Sequence, residues 1–134
     1  MIRIRNIDHI VLRVSNLERM IDFYCNVLGC EVERRHEELG LVQLRAGSSL
    51  IDLVPVDGEL GRAGGAAPGI EGRNVDHFCL RIDSFGAKEI QEHLASMHIA
   101  AGEVSSRYGA EGEGPSIYIN DPEGNMVELK GAPW

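Results

Sequence analysis

One phrase occurs twice in this chain, and it limits the folds available more than any other feature. IDHIVLRV at residues 7–14 returns as VDHFCLRI at residues 75–82, with Asp8/Asp76, His9/His77, Leu12/Leu80 and Arg13/Arg81 in matching places. The copies lie 68 residues apart (77 minus 9), about half of a 134-residue chain. A repeat of half the chain implies two related modules. Residues 7–14 alternate, with Ile10, Leu12 and Val14 on one side and His9, Val11 and Arg13 on the other. Period two is the mark of a strand with one buried face.

The segments after the two copies also match. After the first, Ser15 and Glu18 have capping-box spacing. Leu17, Met20, Ile21, Tyr24 and Leu28 then recur at helical intervals up to Gly29. Strands are expected at about 30–36, 40–46 and 49–55. After the second copy a helix is expected near 86–97, with Ile90, Leu94 and Met97 on one stripe. A short strand near 100–105 comes next, then strands at 115–120 and 126–130 joined by the turn DPEGN. The expected architecture is α+β, two βαβββ modules (1–56 and 74–134) around a linker at 57–73. The stretch 56–74 holds six glycines, so no regular structure is expected there. The glycine-punctuated stretch 106–114 reads as a mobile loop beside a site.

Composition narrows the partners. A net charge of -8 argues against nucleic acid, whose binding proteins present basic patches. No apolar run is long enough for a membrane span, and the charged start MIRIRNIDHI does not read as a signal peptide. Three cysteines, Cys25, Cys30 and Cys79, form no CxxC pair. Reduced thiols in a cytoplasm are the expectation.

The module ends supply the chemistry. SSLIDLVP (48–55) parallels GNMVELKG (124–131), which pairs Asp52 with Glu128. Each acid is flanked by apolar residues, so it faces away from whatever those residues pack against. His9 and His77 face away from the apolar side of their own strands in the same sense. Each module thus offers an imidazole and a carboxylate to one kind of surface. A lone strand histidine is most simply structural, but two matched histidines with two matched acids form a ligand set for a divalent ion such as Zn, Ni, Mn or Fe(II). His36, among Arg35, Glu37 and Glu38, reads as solvated, and His93 and His98 as surface residues.

The phrases DHIVLRVSNLERMIDFYCNVLGCEV and DPEGNMVEL resemble the opening and closing segments of the vicinal oxygen chelate superfamily, also called the glyoxalase/bleomycin-resistance/dioxygenase family. The resemblance spans essentially the whole chain. It implies a cupped mixed sheet around a metal, with His9, His77 and Glu128 as ligands and Asp52 in the variable fourth place. It also implies Lewis-acid chemistry on a small substrate with vicinal oxygens, and a homodimer. In a glyoxalase-like lyase or isomerase, Asp52 or Glu128 would be the proton-transfer base. Arg13 stands where glyoxalase I has a glutathione-binding arginine. Val56 and Asp52 depart from that enzyme's asparagine and glutamate. In an extradiol-type dioxygenase, Tyr118, ten residues before Glu128, would match the active-site tyrosine, while Arg62 stands where a catalytic histidine is expected. The third reading is a metal-free, bleomycin-resistance-like binding protein. An aromatic content of only 5% and the complete ligand set favour the metalloenzyme.

Overall fold

The computed structural model describes residues 1–134. The chain divides into two compact units, Met1–Asn74 and Val75–Trp134. In the first, β1 (His9–Val14) leads into α1 (Leu17–Asp22), then β2 (Glu31–His36), β3 (Leu41–Ala46) and β4 (Ser49–Pro55). In the second, β5 (Phe78–Arg81) leads into α2 (Ala87–Ser96), then β6 (Ser105–Gly109), β7 (Gly112–Asn120) and β8 (Met126–Lys130). Each unit is βαβββ, with sheet orders β1-β4-β3-β2 and β5-β8-β7-β6. The first and last strands of each unit pair in parallel, and the other pairs are antiparallel.

In the first unit the alternation of β1 buries Leu12 and Val14, which pack with Met20, Ile21, Phe23 and Tyr24 of the helical segment and with Leu44, Ile51 and Leu53 of the sheet. Truncating one of these, as in Leu53→Ala, should cost about 2–5 kcal/mol through lost burial and the cavity left behind. The α1 helix starts one residue later than the capping-box spacing implies. Asn16 is the cap, and its side chain accepts a hydrogen bond from the Arg19 N–H at 3.1 Å. Beyond Asp22 the helix widens into a π-turn, Phe23–Val27. The adjacent Phe23 and Tyr24 are both buried there, their rings edge-to-face at 5.1 Å. Gly29 ends the segment with φ +76, a conformation that favours glycine. Edge strand β2 is charged, exposed and bulged between Val32 and Arg34, features that discourage pairing with another chain.

The second unit buries Ile117, Ile119, Val127, Leu129 and Leu94. Of the α2 stripe only Leu94 is fully buried; Ile90 is half-buried and Met97 is exposed. Two expectations need correction. No strand occupies residues 100–104, where only an isolated bridge joins Ala101 to Ile119, and β6 begins at Ser105. The stretch 106–114 is a β6–β7 hairpin, not a loop. The connector also departs from expectation, since Gly61–Gly64 forms a short 3-10 turn and Gly69 and Gly72 form a bridge. No helix is long and apolar enough to cross a membrane.

Candidate functional site

In each unit the histidine is anchored by the residue before it. His9 Nδ1 bonds to Asp8 Oδ1 at 2.8 Å, and His77 Nδ1 bonds to Asp76 Oδ2 at 2.5 Å. With Nδ1–H donated to a carboxylate, Nε2 keeps its lone pair for another partner. The bond to Asp8, then the charge of Asp52, raises the pKa of His9 above its ordinary value. The matched Asp8 and Asp76 were visible in the repeat, but their role as partners of Nδ1 was not.

The acids occupy equivalent places in the two sheets. Asp52 pairs in register with Val11, two residues after His9, and Glu128 pairs with Cys79, two residues after His77. Side chains two apart on a strand share a face. Asp52 is only 4% exposed and stands 4.0 Å from His9 Nε2. Its hydrogen bonds come from the Gln43 amide, at 3.3 Å to each oxygen. It has no lysine or arginine partner.

Glu128, 7% exposed, accepts the Ser116 hydroxyl at 2.9 Å. Burial alone would raise its pKa. The Ser116 hydroxyl, with the Cys79 thiol, the Tyr118 phenol and the His77 charge close by, outweighs burial and holds it below the usual carboxylate range. The Cys79 thiol, on an otherwise exposed residue, is pushed up to about 12, first by desolvation of the sulfur against the sheet and then by the Glu128 carboxylate beside it. Tyr118 lies edge-on to His77, ring centroids 5.4 Å apart, and its register partner is Glu128. Its phenol is raised by burial and then by the Glu128 charge, against the lowering effect of Arg107.

The expected residues therefore fall into two groups: His9 with Asp52 in the first unit, and His77 with Glu128 and Tyr118 in the second. No group of three or more His, Cys, Asp or Glu side chains placed to hold a metal ion occurs in the chain. The donors themselves suit a divalent cation. Each unit carries one imidazole with a free Nε2 and one buried carboxylate lacking a cationic partner, a costly arrangement unless a cation is supplied.

Arg13, the expected substrate contact, is engaged by the connector. Its guanidinium donates to Gly61 O at 3.0 Å, Ala66 O at 2.9 Å and Gly65 O at 2.7 Å. The Asn74 side chain bonds both its N–H and its C=O at 3.0 Å. A Cβ on Gly64 would collide with the Arg13 guanidinium, so glycine is required for this approach. Arg13 thus ties the connector to β1. Its repeat partner Arg81 pairs with Glu111 at 2.6 Å. His36, expected to be solvated, has a buried Nδ1 with no hydrogen-bond partner.

Comparison with known proteins agrees with this architecture. The sequence model of the Glyoxalase/Bleomycin resistance protein/Dioxygenase superfamily matches residues 6–129. Virulence protein STM3117 of Salmonella typhimurium is 35% identical over 130 residues, covering 94% of this chain and 83% of that protein. Its crystal structure superposes with a TM-score of 0.78, covering 98% and 99% of the two chains. A glyoxalase domain-containing protein, RDO1, of Mycosarcoma maydis is 33% identical, covering 94% of this chain and 68% of that protein. Lactoylglutathione lyase from Agrobacterium tumefaciens shares the fold at a TM-score of 0.65 and 22% identity, covering 94% and 92% of the two chains. With a family match over almost its whole length, this chain belongs to the glyoxalase/bleomycin resistance protein/dioxygenase superfamily.

Proposed function

We propose that this protein is a metal-dependent, glyoxalase-like enzyme of lyase or isomerase type, acting on a small substrate with vicinal oxygens. His9, Asp52, His77 and Glu128 are the proposed ligands of one divalent ion per site, Zn, Ni, Mn or Fe(II). One observation carries the reading. Both units present an imidazole oriented by its own aspartate, and a buried carboxylate without a cationic partner two residues along the neighbouring strand. Superfamily members bind small molecules and often act as dimers, and a cytoplasmic homodimer is part of the proposal. The three unpaired cysteines suit a reducing compartment.

The ion, when bound, supplies Lewis acidity that stabilises negative charge developing on a substrate oxygen. The chain's own groups do the rest. Asp8 and Asp76 fix the two imidazoles. Glu128, buried and beside Tyr118 in register, is the proposed proton-transfer base. Asp52 is the second carboxylate able to do so. Tyr118, beside both His77 and Glu128, favours one alternative, extradiol-type chemistry on a catechol, with the phenol as a hydrogen-bond donor to a substrate oxygen.

Elemental analysis by plasma mass spectrometry, on untagged protein purified without chelators, tests the proposal. About one transition metal per active site is expected, lost in His77→Ala and Glu128→Ala variants that stay folded. Iron directs the assay to catechols, and nickel or zinc to hemithioacetals. Protein that holds no metal and takes up none when offered overturns the proposal in favour of a metal-free binding protein.

A further inference from the structure

The sheet face that carries Glu128 also carries two basic side chains with no acidic partner. Lys130 is two residues beyond Glu128 on β8 and only 5% exposed. Its sole hydrogen-bond contact is with Gly131 O at 3.4 Å, longer than an ordinary N–H···O bond. Arg107 on β6 is half-buried, its guanidinium carbon 4.5 Å from the centre of the Tyr118 ring. It donates through Nη1 alone, to Ser116 O at 2.9 Å and Ser116 Oγ at 3.1 Å. Nε and Nη2, with three N–H groups between them, have no acceptor in the protein. Ser116 in turn donates to Glu128.

Lys130 lies against two glycines of the β6–β7 hairpin, and Arg107 rises from the same hairpin. Arg107 is the register partner of Gly114. A Cβ on Gly114 would lie 3.0 Å from Lys130 Nζ, and a Cβ on Gly109 would lie 2.9 Å from Lys130 Cε. The absence of side chains at both positions leaves a lane for the lysine. Such a lysine is not demanded by the fold. The 76-residue offset that pairs Asp52 with Glu128 (128 minus 52) pairs Val54 with Lys130 (130 minus 54), and Val54 is a buried aliphatic residue. A chain of net charge -8 has many acids, yet none is paired with Lys130 or Arg107. Withdrawing a lysine amine from water without a partner is costly. An anion between the two bases would remove that cost through charge-assisted hydrogen bonds.

We infer that Arg107 and Lys130 form an anion subsite beside Glu128 and Tyr118, and that the substrate carries a carboxylate arm next to its chelating oxygens. The inference rests on the proposed function for its site and adds the substrate's chemical class. A matched pair of probes tests it: catechol, and 3,4-dihydroxybenzoate, which adds a carboxylate to the same vicinal oxygens. Isothermal titration calorimetry on the purified protein, with metal content measured alongside, should show the carboxylate probe binding about tenfold tighter or more. Arg107→Met and Lys130→Met should each bring the two probes within about twofold of each other, the ratio being taken within each variant and its metal content measured alongside. Arg107→Lys should keep part of the preference, which a purely structural role for Arg107 would not predict. Equal affinities in the wild type, no binding of either probe, or a preference intact in both Met variants overturns the inference. A preference lost with Arg107→Met in protein that holds no metal keeps the anion subsite and overturns the metal reading. Bound metal with no preference does the reverse.

Discussion

The two units are built to one plan and differ in what surrounds their acids. In both, an aspartate holds the histidine Nδ1, and the carboxylate sits two register positions along on the adjacent strand. The register partner of Asp52 on the third strand is Gln43, whereas that of Glu128 is Tyr118. Val11 in one unit answers to Cys79 in the other, and Val54 to Lys130. Asp52 therefore has a lean environment, with two long amide contacts and aliphatic neighbours. Glu128 is bonded by the Ser116 hydroxyl and neighboured by a thiol and a phenol, with Lys130 two residues along its strand. On the proposed function, the shared part would serve an ion, and the unshared part, concentrated in the second unit, would serve the substrate.

The largest effect expected from that asymmetry is on activity. Glu128→Gln should lower kcat by about a thousandfold, since the proposed ligand and the proposed base are lost together. Asp52→Asn should lower metal affinity by roughly tenfold, with a smaller fall in kcat once metal is saturating. Chelator-competition titration and steady-state kinetics on the two variants measure both quantities. Equal losses would show that the units are chemically equivalent despite their different surroundings.

A smaller difference is expected in stability. The turn before β8 is organised by Asp121, which is buried and accepts from Glu123 N at 2.9 Å, Asn125 N at 3.0 Å and Asn125 Nδ2 at 2.8 Å. Asp121→Ala strands these donors and should cost about 3 kcal/mol. The corresponding turn of the first unit relies on Gly47 at φ +61, and Ser48 is exposed, so Ser48→Ala should stay within about 0.5 kcal/mol. Denaturant titration of each full-length variant checks the pair. A costly Ser48→Ala would mean that the first turn depends on a side chain after all.

The sequence revealed the matched parts well, because alternation and repetition are one-dimensional signals. The expected strand at 126–130 is β8 to the residue, and the equivalence of Asp52 and Glu128 reappears as equal register against β1 and β5. Features set by three-dimensional contact were not legible. The hairpin over 106–114 has no apolar alternation; Gly109 and Gly114 lie where Lys130 and the Ala132 carbonyl crowd a Cβ, and Gly112 has φ +121, so composition alone reads as loop. Lys130 itself looks like a charged strand end, and only the sheet buries it. Arg13 and Arg81 share a place in the repeat, yet their partners come from different segments. No local pattern announces that Arg13 meets the carbonyls of Gly61, Gly65 and Ala66.

That last contrast gives the smallest of the expected effects. Arg13→Met keeps the apolar stem but removes three hydrogen bonds from a guanidinium to the connector. Their loss should lower stability by about 1 kcal/mol, since the groups are partly exposed and water replaces the lost partners. The local effect should be larger than the global one. Without the guanidinium, the turn Gly61–Gly64 opens more often, and limited proteolysis near Arg62 should speed up several-fold. Arg81→Met, which breaks an exposed pair with Glu111, should leave cleavage at Arg62 unchanged. Metal content should be unchanged in both variants. If Arg13→Met instead weakens binding of an anionic substrate while the connector stays protected, then Arg13 reaches the substrate, and the first unit is more than a source of ligands.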